Sequence, residues 1–384
     1  MNEYIRIQHF GPIVDVELDH IAQLTLLVGE SGSGKSTVMK LLSMFRWIYK
    51  RVVLRSYVKQ ADINDNGIRF DFQALLRTSG LEEYRDKKNT KTKTKIIYRR
   101  GKYEIAYRNG KLDATITISP KDLSLEKICF LSDKRVILPD LVDNKFNRKN
   151  ANYYLEDTME NFLLAQGVIE EFPVDYLGVK FKVEKSGSAA KYKVMGENQD
   201  NQPYNVSLKN ASSGMQNVIP MSLIVEYYSR YFDPKKSMDT SLFQYLQAGD
   251  RLKYFNTAQN IGEIEQKNVH ILIEEPELSL YPDNQASLMD FLVERCFRTD
   301  HPYNMTLMMA THSPYLVNYL NLLMKRLVKG EQTKACMDPD KVDVYAIMDG
   351  TAVSLKMKTA QGDTIIDARL MSDPIAEMYT EYNN

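Results

Sequence analysis

The run LTLLVGESGSGKST, residues 24–37, constrains this chain more than any other stretch. Five apolar residues without alternation describe a strand buried on both faces, which needs a sheet covered by helices on both sides. The glycines that follow let the backbone curl with its N–H groups pointing inward. VMKLLSMFRWIYKRVVL then continues with helical spacing. Gly29, Gly34, Lys35 and Ser36 fit G-x-x-x-x-G-K-[ST] without a mismatch. A chance match somewhere in the chain is on the order of a per cent or two at average residue frequencies. A flexible Gly/Ser turn with an incidental lysine would not explain the strand before it or the helix after it. Gly29, Glu30, Ser31, Gly32, Ser33, Gly34, Lys35, Ser36 and Thr37 are therefore expected to cradle phosphates at a helix N-terminus. Lys35 should reach the β- and γ-phosphates and the Ser36 hydroxyl should ligate Mg²⁺. No Asn-Lys-x-Asp guanine reader occurs, and DNKFN at 143–147 lacks the aspartate, so ATP is expected rather than GTP.

EYIRIQHF (3–10) and residues 14–18 read as half-buried strands turned by Gly11-Pro12. KIIYRRGKYEIAYRNGKLDATITIS holds three β-like runs broken by Arg-Gly and Asn-Gly turns, an antiparallel meander. KICFLS (127–132), HILI (270–273), MTLMMA (305–310) and VDVYAIM (342–348) are further buried strands. Residues 150–172 and 215–230 have helical spacing, with Pro220 expected to bend or shorten the second helix. VKFKVEKSGSAAKYKVMGE reads as a hairpin, 59–95 as a polar loop, and 231–268 as an aperiodic insertion. The predicted class is α/β with a mainly parallel central sheet, an antiparallel β meander and helical insertions. One elaborated domain is expected over 1–384. Its parts are a phosphate-loop lobe with the meander (1–130), a helical insertion (131–172), a hairpin and helix (173–230), an insertion (231–268), and a last lobe with a C-terminal β/α tail (269–384).

Two strand ends carry chemistry. HILIEEPELSLYP (270–282) puts Glu274 and Glu275 directly after an apolar strand that Pro276 terminates. Adjacent carboxylates there can divide the work of phosphoryl transfer, Glu274 toward the Mg²⁺ shell and Glu275 toward the attacking water. In MTLMMATHSPYLVN (305–318), Thr311-His312-Ser313-Pro314 ends the strand of 305–310 on the same expected edge. Ser313 and Pro314 fit a helix cap, which leaves His312 free to hydrogen-bond a γ-phosphate or its attacking water.

Composition excludes several classes. Lys+Arg and Asp+Glu are 50 each, so no net field draws the chain to nucleic acid or anionic lipid. The one basic run, RDKKNTKTKTKIIYRRGK (85–102), reads either as a solvated loop or as a phosphate-binding arm. Cys129, Cys296 and Cys336 form no CxxC pair, which suggests neither a disulfide framework nor zinc. No apolar run reaches the ~20 residues of a membrane helix, and the N-terminus lacks a signal-peptide layout. A cytoplasmic location is expected, without a membrane partner.

Phosphate loop, paired Glu and strand-end His, in that order, resemble the ABC-type ATPase superfamily. In that superfamily a Ser-Gly signature precedes the paired acids, and SSGMQ (212–216) occupies its place. Ser213, Gly214 and Gln216 match the familiar Leu-Ser-Gly-Gly-Gln form, whereas Ser212 and Met215 depart from it. YIRIQHFGPI, ASSGMQNVIP, ILIEEPELSLYP, ATHSPYLVN and the strand-plus-Arg element FLSDKR (130–135) resemble soluble AAA-family ATPases related to the overcoming-lysogenisation-defect and SMC-type proteins. The resemblance implies head-to-tail pairing around ATP, with Ser212, Ser213, Gly214 and Gln216 serving the neighbour's nucleotide. It also implies a glutamine completing the site, for which Gln73 in FDFQALL is the candidate.

The acids after His312 (Asp343, Asp349, Asp363, Asp367 and Asp373) are scattered and read as solvated surface acids, not a nuclease centre. The expectation is an ATPase that oligomerises and controls a separate effector, as the resemblance to ATPase subunits of bacterial anti-phage systems such as PARIS or those paired with retrons implies. The competing reading is an SMC-like DNA-repair or DNA-clamping ATPase, which calls for a long coiled coil that is not visible here. A transporter subunit fits poorly because of the insertions.

Overall fold

A computed structural model describes residues 2–60, 70–84, 93–143, 153–186, 189–248, 264–297, 300, 302–331 and 334–383. β1 (Glu3–Phe10) and β2 (Ile13–Leu18) pair antiparallel about Gly11-Pro12. β3 (Leu24–Val28) is buried at all five positions, and α1 (Lys35–Gln60) leaves the glycine loop for 26 residues. The polar stretch read as loop contains a helix, α2 (Phe72–Thr78), capped by Asp71, whose carboxylate accepts from the amides of Gln73 and Ala74. Two aromatic contacts rather than periodicity fix it, since Phe72 stacks on Tyr107 at 4.1 Å and packs edge-on to Phe45.

The meander forms as expected: β4 (Lys95–Arg100), β5 (Tyr103–Arg108) and β6 (Lys111–Asp113), with β4 pairing to β1. The basic run 85–102 is thereby divided. Residues 85–92 lie outside the described residues, while Arg100 is buried against Glu126 and Arg99 pairs with Glu104. Those two arginines are used inside the sheet and are not part of an arm.

β7 (Ser124–Leu131), α3 (Leu138–Asp143) and α4 (Tyr153–Val168) lead into a second sheet. There the expected hairpin, β9 (Val179–Ser186) and β10 (Ala189–Glu197), gains β8 (Glu171–Val174) and β11 (Pro203–Ser207) on its flanks. α5 (Ser213–Arg230) starts two residues before the apolar spacing indicates and runs on past Pro220 without stopping there. The stretch read as an aperiodic insertion contains α6 (Pro234–Ala248); 249–263 fall outside the described residues. β12 (Gln266–Glu274), α7 (Pro282–Phe297), β13 (Asn304–Ala310), α8 (Pro314–Val328) and β14 (Val342–Met348) follow in strict alternation up to β14. β15 (Thr351–Ser354), β16 (Lys356–Lys358), β17 (Thr364–Ile366) and α9 (Arg369–Asn383) end the chain.

Eleven strands form one sheet in the order β6-β5-β4-β1-β2-β15-β14-β3-β13-β12-β7. From β14 to β7 the pairing is parallel; from β6 to β2 it is antiparallel. β3 supplies both faces of the core. Leu24, Leu26 and Val28 join α5, α7 and α8 in one apolar layer, and Leu27 joins α1 in the other. Each such side chain contributes roughly 1.5–3 kcal/mol by leaving water.

A polar network crosses the buried face beneath α1. Arg46 forks onto Glu3 at 2.7 and 2.8 Å, Arg100 donates to Glu126 at 2.9 Å, and His270 Nε2 lies 2.9 Å from Glu126 with Nδ1 2.8 Å from the Thr306 hydroxyl. Burial and the nearby Arg46 charge push the His270 imidazole down to about 4, so it is neutral at pH 7. Among the described residues, no helix is long and apolar enough to cross a membrane.

Candidate functional site

Parallel pairing sets β3, β12 and β13 so that their C-terminal ends share one sheet edge. Glu274 lies opposite Ala310, and Ala310 opposite Leu27. Three of the groups the sequence assigned to phosphate chemistry follow from these ends: the glycine loop after Val28, the acids after Ile273, and the histidine after Thr311.

The loop is shaped by glycine where nothing else fits. Gly29 has φ +143°, and a Cβ there would lie 2.4 Å from the Ile347 carbonyl oxygen. Lys35, the first residue of α1, is buried and turns its ammonium back onto the carbonyls of Gly29 and Glu30, each at 2.8 Å. Burial lowers its pKa, against the pull of Glu275 and Glu277. Ser36 is exposed, Thr37 is buried, and the buried Ser33 hydroxyl has no partner among the described residues. A glycine-shaped backbone with a lysine ammonium and a serine hydroxyl beside it suits a phosphate-binding loop.

Glu274 is buried at 3% exposure, with Oε1 3.9 Å from the Lys40 ammonium. Desolvation raises its pKa, opposed by Lys40 and by a hydrogen bond from Ser36. The Ser36 hydroxyl and the Glu274 carboxylate thus converge, which is the donor set a divalent cation takes. Glu275 has left-handed backbone (φ +45°), which turns its carboxylate to the open side. Its Oε1 lies 3.9 Å from His312 Nε2, and both side chains are a little over a third exposed. The cap reading of Ser313 holds as well. Its hydroxyl accepts from Tyr315 and Leu316 amides at the start of α8.

A buried arginine holds the two acids by their main chain. Arg135 donates from Nη1 to the carbonyls of Ser132 (2.9 Å) and Glu274 (2.5 Å), and from Nη2 to that of Glu275 (2.6 Å). FLSDKR signalled this residue without indicating its task. Glu277 was missed altogether. Its Oε1 accepts from the Thr311 hydroxyl and the His312 amide, both at 2.8 Å, and a third carboxylate within EEPE was the available signal.

The Ser-Gly stretch opens α5. Ser212 is the N-cap and accepts from the Met215 amide at 3.3 Å; Ser213 is exposed. Gly214 lies so close to the loop after β12 that a Cβ would sit 2.8 Å from the Ser279 carbonyl oxygen. Asn217 donates to the Leu278 carbonyl at 2.6 Å, and Gln216 braces the approach through the carbonyls of Lys209 and Ala211. Gln73 lies in the first turn of α2, where its amide donates to the Asp71 carboxylate at 3.0 Å. It neighbours Phe72, which packs on Phe45, ten residues and about 15 Å along α1 from Lys35. The C-terminal acids are not clustered either. Asp343 faces His20 and Lys356, Asp363 faces Lys325, and Asp367 faces Arg369.

Fold and loop together support an ABC/AAA-type ATPase. An AAA ATPase domain model matches residues 178–317, the segment from β9 into α8 that holds the signature, both acids and His312. No curated protein matches the chain. Solved structures similar to it include an SMC head domain from Thermotoga maritima, at 10% identity and TM-score 0.37, covering 94% of this chain and 100% of that one. Another is an SMC head bound to the C-terminal winged-helix domain of ScpA, at 11% identity and TM-score 0.36, covering 96% and 98%. At those scores neither bears on what this chain does.

Proposed function

We propose that the protein is a Mg²⁺-dependent ATPase that closes head-to-tail on a second copy around ATP and thereby controls a separate effector protein in bacterial anti-phage defence. The observation that carries the ATPase part is the meeting of Lys35, Ser36, Glu274, Glu275 and His312 at the one sheet edge described above. The amides of residues 29–37 would bind phosphate oxygens, with the Lys35 ammonium moving from the loop carbonyls to the phosphates. Ser36 and Glu274 would hold Mg²⁺, which supplies charge neutralisation on the phosphates when bound. Glu275 would take the proton of the attacking water and His312 would donate a hydrogen bond beside it.

Pairing is supported by the state of α5's first turn. The amides of Ser213 and Gly214 have no partner among the described residues, and Ser213 faces solvent. They form an anion-binding helix end that a neighbour's nucleotide could occupy. Effector control rests on the sequence resemblance. The test is Glu275→Gln protein with ATP and Mg²⁺, followed by light scattering and pull-down. The expected result is a dimer or larger assembly that Ser213→Arg abolishes while single-copy ATP binding persists. A Glu275→Gln protein that binds ATP and stays monomeric refutes the pairing.

The DNA-clamping reading keeps one supporting observation. Lys182 and Lys193 lie directly opposite on the outer face of the hairpin sheet, a like-charge pair that costs stability unless an anion meets it, and Glu171 neutralises only Lys182 of the two. Duplex binding that weakens steeply with salt, and is lost in Lys193→Glu, would favour it.

A further inference from the structure

Pro276 follows the left-handed Glu275 and sends the chain back beneath the strand ends, so that Glu277 points inward. One carboxylate oxygen is fully committed. Glu277 Oε1 accepts from the Thr311 hydroxyl and the His312 amide at 2.8 Å each. Thr311 is completely buried, and its oxygen in turn accepts from the Ser313 amide at 2.9 Å. These bonds fix the backbone from which His312 reaches Glu275.

The other oxygen is different. Glu277 Oε2 is buried and has no partner among the described residues. Glu277 raises the pKa of both Lys35 and Arg135 by its charge, yet makes no ion pair within 4.0 Å with either. A glutamine would hold Thr311 and His312 through its carbonyl, but it would bury an unpartnered amide donor in place of Oε2 and could accept nothing there. A buried anionic oxygen with no partner among the described residues is left for a second task.

We infer that Glu277 is a positioning residue for hydrolysis: Oε1 sets His312 against Glu275, and Oε2 accepts from the water shell of the phosphate site. The inference rests on the ATPase reading above.

The test compares Glu277→Gln and Glu277→Ala. In nucleotide-free protein, exchange of the His312 amide should stay slow in Glu277→Gln and speed up about 10-fold or more in Glu277→Ala, which lacks the acceptor. In steady-state ATP hydrolysis, Glu277→Gln should lower kcat about 10-fold with KM within about 2-fold, and Glu277→Ala about 100-fold. In a His312→Ala background the gap between Gln and Ala should close, because their difference acts through His312, while the loss caused by Gln persists. A gap that survives in that background, or a His312 amide unchanged in Glu277→Ala, overturns the inference. Should Glu277→Ala not fold, Glu277→Gln decides alone: a parental kcat overturns it, and a lowered kcat with slow amide exchange sustains it. Full activity in His312→Ala would instead sink the reading of the site itself.

Discussion

Replacing Arg135 by methionine isolates the anchor of the two acids. The guanidinium is fully buried and makes three bonds to carbonyls, those of Ser132, Glu274 and Glu275. Hydrogen bonds from a charged donor contribute about 1.5–3 kcal/mol each, so their loss costs roughly 4.5–9 kcal/mol gross. Burial works against the cation, whose pKa it holds down to about 10, and methionine recovers part of that expense. A net destabilisation of about 4 kcal/mol is expected, in line with removing one member of a buried polar group. With an unfolding entropy near 2.1 cal/mol/K per residue, this lowers Tm by roughly 5 °C in a chain of 384 residues. Differential scanning calorimetry measures it directly. The left-handed turn at Glu275 also loses its restraint, so ATP hydrolysis should fall about 10-fold or more through misplacement of the carboxylate. A methionine variant that melts within about 1 °C of the parent refutes the reasoning.

Gly214→Ala should cost about 1–3 kcal/mol, because the new methyl meets a backbone carbonyl, that of Ser279, which cannot swing aside; urea denaturation checks it, and Ser213→Ala serves as the neutral control. His270 gives a pH dependence with a definite sign. Its pKa falls from 6.5 in the unfolded chain to about 4 when folded, so the unfolded state binds more protons between those values. Stability should therefore drop on the order of 3 kcal/mol as the pH goes from 6.5 to 4, and His270→Gln should flatten that part of the curve in denaturant titrations.

The parallel strands were legible because β3, β12, β13 and β14 are apolar on both faces, and the turns that end them carry glycine, proline or charge. The chemistry at their ends was legible for the same reason, since a strand end is a fixed address. What sequence missed depends on partners distant in the chain. α2 exists because Phe72 finds Tyr107 and Phe45. Glu277 matters because the end of β13 lies above it, 34 residues later. Gln73 was drawn into the site by motif order alone. Pro220 does not shorten α5. Buried packing on α4 and α7 keeps α5 going through a residue that propensity alone would treat as a stop.

The strand order carries a consequence for synthesis. β3 ends at Val28, yet its two neighbours in the sheet are β13 and β14, the latter beginning only at Val342. At about 5–20 residues per second, the most apolar strand of the nascent chain waits roughly 15–60 s for its pairing edges. The wall beside Gly29 arrives equally late, because it is the carbonyl of Ile347. An unfinished chain therefore presents a sticky segment and an unwalled loop together, and ribosome-bound chains that stop short of β14 should engage a holdase rather than nucleotide.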